Sequence, residues 1–501
     1  MKIFRRWAGL LLACLTLFSA AAPAYAEEGF TFQWDGGRDD DSDHPHCKSI
    51  FMMNLDTGTV VYTLNPDERL PMASMTKIMT YIIAYENIPD IENAKITVPQ
   101  IVEDDLEGTG SSLAGVSVGE ELTGLQLLYL LMVPSGNDAA LTLMEYVDEL
   151  YESGRITAPD AADPEDPGAL AQEGAQATPV PEGEEEPGRV DYTGDSYFVS
   201  LMNKKAEELG CKNTHFTNPH GLHHPDHYST ARDTAMIAEY AMTLPNFSEI
   251  VSTDHYLKPA TNKNPSEEIH PNTNKLLIGY PDPASGITYF YTYAKGVKTG
   301  SHDQAGHCIT ASATAYGYTY VAVLMGDMEG YENDVHYEML DARSLFRWAL
   351  TELEKKTVVS QGDVLSSVKL EYAFQQDELR LAAGDNVSVM LPKSVDQTSI
   401  LITVNKPESV QAPVRKGEEI GTATISYADE VIGTVPVLAA ESVARSDLVA
   451  SWEQGKSLLT SPWFIAIMAV VGGLIVVYLI LVVFYRRKQK QLRRVRKFRD
   501  L

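Results

Sequence analysis

The sequence predicts an α/β domain, then a small β-sandwich, then one C-terminal transmembrane helix. Three observations predict it. Helical and strand-like periodicities alternate from about residue 47 to 357. After Val358 the pattern changes to short runs of period two, bounded by turn residues. From Trp463 to Tyr485 no residue is charged.

Taken in order, the chain opens on an export signal. Lys2, Arg5 and Arg6 precede a short apolar stretch, and Ala24-Tyr25-Ala26 forms a small-x-small cleavage site. Residues 1–26 are read as the signal peptide and 27–46, rich in Gly and Asp, as a flexible lead-in. Ser49 to Asn65 reads as two strands around Asp56-Thr57-Gly58. Met75, Ile78, Met79, Ile82 and Ile83 are spaced for a helix that starts near Ser74. Leu122–Val133 and Asp138–Val147 read as helices broken at Pro134-Ser135-Gly136, and a further helix spans Tyr197–Leu209. Between them, residues 154–194 are rich in Pro, Glu, Asp, Ala and Gly. Such a segment buries too little apolar surface to fold and is expected to be a disordered insertion. Strands are expected at Ile287–Tyr293, Cys308–Ala315 and Tyr318–Leu324, and a long amphipathic helix over 335–355 closes the domain at 357. The β-sandwich occupies 358–442 and a linker 443–462.

The run 463–485 is about 35 Å of helix, enough for a hydrocarbon core of about 30 Å. Nine basic residues, from Arg486 to Arg499, follow at once, which places 486–501 in the cytoplasm and the bulk of the chain outside the plasma membrane. The whole chain carries a net charge of −29. Residues 27–462 hold 28 basic against 68 acidic side chains, a net charge of −40. So acidic a surface argues against nucleic acid as a partner. Cys47, Cys211 and Cys308 remain after signal removal and have no Cys-x-x-Cys spacing, so they are read as structural thiols.

Three short motifs carry chemistry. Ser74-Met75-Thr76-Lys77 sets a hydroxyl and an amine on one face of a helix start. A desolvated lysine can serve as the base that turns a serine into a nucleophile. A second quartet, Ser366-Ser367-Val368-Lys369, lies on a strand-like run, where positions i and i+3 point to opposite faces. Ser135-Gly136-Asn137 sits in the break between two helices, where side chains project; in isolation it reads as an N-cap pair. Lys298-Thr299-Gly300 follows a strand-like run, and its glycine allows close backbone approach.

In this order and spacing the three resemble the S-x-x-K, S-x-N and K-T-G boxes of penicillin-binding proteins and serine β-lactamases. The chain is identified as a member of the low-molecular-mass, serine-type D-alanyl-D-alanine carboxypeptidases of the penicillin-binding protein group, from about Cys47 to Ser442. Asn213–Leu222, His227–Ala231 and Asn272–Leu277 also resemble family segments. The resemblance implies a catalytic domain with an antiparallel sheet, flanking helices and a helical subdomain. It implies Ser74 as nucleophile, Lys77 as base, and Ser135 with Asn137 as proton relay and amide holder. Lys298 and Thr299 would bind the substrate carboxylate, beside Gly300 and Ser301. The N–H groups of Ser74 and Ser301 would form the oxyanion hole. Peptidoglycan stem peptides are the expected substrate, β-lactams the expected inhibitors, and no cofactor or metal is expected. Two features depart from the family: a helix that crosses the membrane, and the 154–194 insertion.

Two decoys are set aside. His220, His223, His224, His227 and Asp226 cluster, but within family-type loops that need no zinc. Glu268 and Asn272 share the spacing of a class A β-lactamase deacylation pair, within the Asn-Thr-Asn segment. A β-lactamase and a non-catalytic wall sensor are the competing readings. The second domain and anchor weigh against the first, and intact Ser74 and Lys77 against the second.

Overall fold

The computed structural model describes residues 44–156, 190–396, 399–427, 430–449, 451 and 461–497. The 1–26 segment, nearly all of the lead-in, most of the 154–194 insertion and half of the 443–462 linker lie outside the described residues, as does the end of the tail. The chain divides into two compact units. The first is built from residues up to Lys356, and the second from Thr357 onward apart from two short stretches.

The first unit is organised by a five-stranded antiparallel sheet. Its strands are β1 (Ser49–Asn54), β2 (Val60–Leu64), β3 (Ala294–His302), β4 (Gly306–Ala315) and β5 (Tyr318–Asp327), in the order β2-β1-β5-β4-β3. All of β1 and nearly all of β4 and β5 are buried, so both faces are covered. The register pairs Phe51 with Val323, which puts Phe51 and Tyr320 on opposite faces. Arg232, on the helix Ala231–Ala241, stacks its guanidinium over Phe51. Tyr320 donates to the Ala349 carbonyl of the helix Tyr337–Glu352. The two helices, α5 (Ala231–Ala241) and α6 (Tyr337–Glu352), therefore sandwich the sheet.

A helical subdomain completes the unit: α1 (Lys77–Asn87), α2 (Gly124–Met132), α3 (Asn137–Glu152) and α4 (Tyr197–Glu208). Thr123 and Gln126 cap α2 reciprocally, which fixes its start after the strand residue Leu122. Ser196 caps α4. The expected strand at Ile287–Tyr293 is not formed. Tyr291 N–H donates to the Leu276 carbonyl, and the Tyr289 hydroxyl accepts from His336 N–H. These tyrosines are spent on packing, and the strand begins at Ala294. Lys298-Thr299-Gly300 consequently lies inside β3, not at a strand end.

The second unit holds a six-stranded sheet made of β6 (Val364–Glu371), β7 (Glu378–Ala383), β8 (Ile400–Asn405), β9 (Ser409–Gln411), β10 (Glu419–Tyr427) and β11 (Glu430–Ala439). Its order is β8-β10-β11-β7-β6-β9, with β6 and β9 parallel. The C-terminal helix α7 runs unbroken from Pro462 to Lys497. It thus carries the apolar run and much of the basic stretch on one rod, and Pro462–Lys490 is long and apolar enough to cross a membrane.

Cys47, Cys211 and Cys308 are buried free thiols. Cys47 precedes β1, and Cys308 lies on β4 with β5 between.

Candidate active site

The nucleophile candidate sits on a forced turn. Ala73 has φ +47°, a left-handed conformation for a non-glycine residue, and Ala73–Thr76 forms one 3-10 turn leading into α1. Such backbone strain persists only where neighbours hold it. Thr76 Oγ1 donates to the Ala73 carbonyl (2.7 Å) and meets His227 Nε2 (2.7 Å). His227 Nδ1 accepts from Thr217 N–H (3.0 Å). Both ring nitrogens of His227 are therefore engaged, Nε2 on the Ser74 turn and Nδ1 on Thr217.

Two glycines bring backbones against that turn. At Gly221, φ is +92° and an added Cβ would lie 2.0 Å from the Ala73 carbonyl oxygen. At Gly300, an added Cβ would lie 2.6 Å from the Met72 carbonyl oxygen. The loop of His220 and the strand of Lys298 are thus both pressed onto residues 72–74.

Lys77 is fully buried, and its Nζ has three neighbours. Ser74 Oγ is at 2.8 Å, Asn137 Oδ1 at 2.6 Å and the His220 carbonyl oxygen at 2.8 Å. A neutral amine has two N–H donors and one lone pair. The two pure acceptors, Asn137 and His220, take the donors and leave the lone pair for the Ser74 hydroxyl. Burial holds the Lys77 ammonium well below its ordinary pKa, and the Lys298 charge adds to this, with Asp138 opposing. A half-buried serine hydroxyl facing a buried lysine whose charged form is disfavoured is the arrangement of a serine acyl-transfer enzyme.

Asn137 starts α3, and Ser135 precedes it with φ +65°. The break is pinned on both sides. Asn137 N–H donates to the Ser112 carbonyl, and Thr273 N–H donates to the Val133 carbonyl. Asp138 holds the opposite wall by accepting from Ala114 N–H (2.9 Å) and Val116 N–H (3.0 Å).

On β3 the two-residue period turns Lys298 towards the Ser74 turn. Its paired neighbour Thr310 touches the Met75 sulfur (3.3 Å). Lys298 Nζ donates to the Thr299 carbonyl (2.9 Å), and burial pulls its pKa down to about 7. Thr299 Oγ1 donates to Thr273 Oγ1 (2.6 Å), and Ser301 Oγ meets His307 Nδ1 (3.1 Å).

Ser74 lines two cavities. One, of about 430 Å³, is bordered by Ser112, Asn137, His223, His302 and Gln304. The other, of about 290 Å³, is bordered by Ser135, Thr273, Thr299, Gly300, Ser301 and His307. A cleft therefore runs past the serine on both sides, with the edge strand β3 along it.

The structure brings together Ser74, Lys77 and Asn137 by direct bonds, and lines the cleft with Ser135, Thr299, Gly300 and Ser301. Lys298 is placed beside them, its ammonium turned to the Thr299 carbonyl. Two contributors have no separate signal in the sequence, the His220 carbonyl and His307; a backbone oxygen leaves no trace in residue type. Thr273 lies in the Asn272–Leu277 segment, with no role read for it there. The Glu268–Asn272 pair is structural. Glu268 pairs with buried Lys258 (2.8 Å), and Asn272 donates to the Thr253 carbonyl (2.8 Å). The second quartet is on β6, where Ser366 Oγ accepts from Lys406 and Lys369 is exposed.

Comparison with known proteins gives the family. The family model described as D-alanyl-D-alanine carboxypeptidase matches residues 39–149 and 192–329. The model for the penicillin-binding protein 5 C-terminal domain matches 353–445. The D-alanyl-D-alanine carboxypeptidase of Streptomyces sp. strain K15 is 32% identical over 322 residues, covering 63% of this chain and 88% of that protein. D-alanyl-D-alanine carboxypeptidase DacF of Bacillus subtilis is 28% identical over 447 residues, covering 89% of this chain and 96% of that protein. The crystal structure of DacD from Francisella tularensis shares the fold, with a TM-score of 0.57 and 22% identity, covering 86% of this chain and all of that one. The fold is that of a penicillin-binding serine peptidase. The chain belongs to the D-alanyl-D-alanine carboxypeptidase family.

Proposed function

We propose that the chain removes the terminal D-alanine from peptidoglycan pentapeptide stems, with Ser74 as nucleophile and Lys77 as its base. The observation that carries the residue assignment is the 2.8 Å approach of buried Lys77 Nζ to Ser74 Oγ, with both amine donors already taken. Ser74 Oγ attacks the carbonyl between the two D-alanines while Lys77 accepts its proton. The N–H groups of Ser74 and Ser301 stabilise the resulting oxyanion. Collapse breaks the C–N bond, and the leaving amine takes a proton relayed by Lys77 with Ser135 and Asn137. Water then attacks the Ser74 ester and restores the hydroxyl. Lys298 and Thr299 hold the terminal carboxylate in the smaller cavity, and the stem lies in the larger one. The exposed edge of β3 offers backbone groups for pairing with the peptide. A β-lactam occupies the same place as an ester that leaves slowly.

The anchor is α7, and the catalytic unit works outside the plasma membrane. The signal-type N-terminus and the basic run after Tyr485 support this orientation. The domain limits that fit this reading are 47–357 for catalysis, with its 154–194 insertion, and 358–442 for the β-sandwich.

The test uses the full-length chain in detergent and a peptide ending in D-Ala-D-Ala. Wild type releases D-alanine, and Ser74→Ala lowers release by about 10⁴-fold or more. Undiminished release from the variant would refute the assignment.

A further inference from the structure

Behind Ser301, where β4 meets the start of α6, a group of buried side chains is left out of the mechanism above. His307 is 8% exposed. Its Nδ1 meets Ser301 Oγ at 3.1 Å, while Nε2 is buried with no hydrogen-bond partner among the described residues. The His336 ring lies 4.3 Å from that of His307. His336 Nδ1 is 3.0 Å from Glu338 Oε1, and Oε2 of this almost wholly buried carboxyl also lacks a partner. One ligand-type atom from each of His307, His336 and Glu338 falls within 4.8 Å of the others.

All three positions are fixed by the fold. His307 is held in the β4 ladder opposite Ser301. His336 N–H donates to the Tyr289 hydroxyl, and Glu338 N–H to Asp327 Oδ2. The charged neighbours are of both signs. Asp327 and Asp341 act on Glu338 as nearby carboxyls. Lys275 is the opposing charge, and it is paired with Asp282 at 2.5 Å. Donor atoms around tetrahedral zinc stand about 3.3 Å apart, so the group closes on an ion by small side-chain rotations.

We propose that His307, His336 and Glu338 form a binding site for one divalent transition metal of the zinc class, on the wall of the smaller cavity beside Ser301. Two imidazoles and one carboxylate suit that class better than magnesium or calcium, and they leave a coordination position open. All three residues border the cavity that also contains Ser74, Thr299 and Gly300, so the open position faces the cleft. An ion on His307 Nε2 fixes the ring as the tautomer that donates from Nδ1 to Ser301 Oγ. Metal occupancy is thereby tied to the residue next to Lys298-Thr299-Gly300. The site stands apart from the carboxypeptidase reading, since it needs no substrate.

The probe is Co²⁺, titrated into chelator-treated full-length chain in detergent, with visible ligand-field absorption as the readout and Zn²⁺ added afterwards. The expected result is one Co²⁺ per chain with the intense bands of a four- or five-coordinate centre, bleached by one equivalent of Zn²⁺. His307→Ala and His336→Ala each weaken Co²⁺ binding by about 100-fold or more, while His223→Ala leaves it unchanged. His336 is partly exposed, so its variant retains the fold, checked by thermal unfolding. A wild type that takes up no Co²⁺ at one equivalent, or a folded His336→Ala with wild-type affinity, would overturn the proposal.

Discussion

The chain contains two Ser-x-x-Lys quartets, and the structure treats them in opposite ways. At Ser74–Lys77 a 3-10 turn opening into a helix stacks the two side chains, and burial strips water from the amine. At Ser366–Lys369 the backbone is a strand, Lys369 is exposed, and Ser366 bonds to Lys406 instead. The letters are the same and the chemistry is not. A lysine acts as a base only where its charge is costly and its donors are already used. The difference lies in the surroundings, namely the His220 carbonyl, Asn137, and the two glycines that press neighbouring backbone onto the turn.

Experiments can break this contrast at several depths. The deepest break is Lys77→Met, which removes the base and keeps the volume. We expect acylation by a fluorescent penicillin to slow by about 10³–10⁴-fold, with the unfolding temperature little changed. A variant that acylates at the wild-type rate would show that the amine is a spectator.

Next comes Gly221→Ala. The new methyl would overlap the Ala73 carbonyl at a residue with φ +92°. We expect a loss of about 3 kcal/mol in stability by denaturant titration, and slower penicillin labelling of the fraction that remains folded.

The third test is pH. Burial brings the Lys298 ammonium down to about 7, so its charge is present below that pH and lost above it. A substrate carboxylate needs the charged form. The kcat/KM for a D-Ala-D-Ala peptide should therefore fall as pH rises through about 7, since this ratio reports the free enzyme. In Lys298→Arg, where the guanidinium stays protonated, the alkaline limb should vanish even if the maximum is lower. Persistence of the limb in the variant would assign it to another group. Lys77, also depressed, contributes an acid limb as it becomes protonated.

The smallest effect is expected from Ser366→Ala with Lys369→Ala. Both lie on the second unit's sheet, away from any base-like environment. D-alanine release and penicillin labelling should stay within about twofold of wild type, and stability within roughly 0.5 kcal/mol.

Much of this architecture is legible in the sequence because it rests on periodicity. The β1–β2 hairpin, the helix after Ser74, the break at Pro134-Ser135-Gly136 and the dismissal of the strand-borne quartet all follow from spacing. What escaped was whatever depends on tertiary partners. Residues 287–293 alternate like a strand, but Tyr289 and Tyr291 bond to His336 and Leu276, and the strand starts later. The second donor partner of Lys77 is a main-chain carbonyl, which any residue type supplies. Thr273 and His307 touch the site from far away in the chain; Thr273 sits in the family-like Asn272–Leu277 segment, whereas His307 sits in no pattern that marks it. The charge pattern separates the basic stretch after Tyr485 from the apolar run, whereas α7 continues through it to Lys497.

The central claim is that Ser74 carries the acyl group. The most direct test is to treat the full-length chain with a penicillin, digest it, and locate the added mass by peptide sequencing. The account predicts one adduct per chain, on Ser74, absent from Ser74→Ala. An adduct on another residue, or one that forms equally in Ser74→Ala, would contradict it.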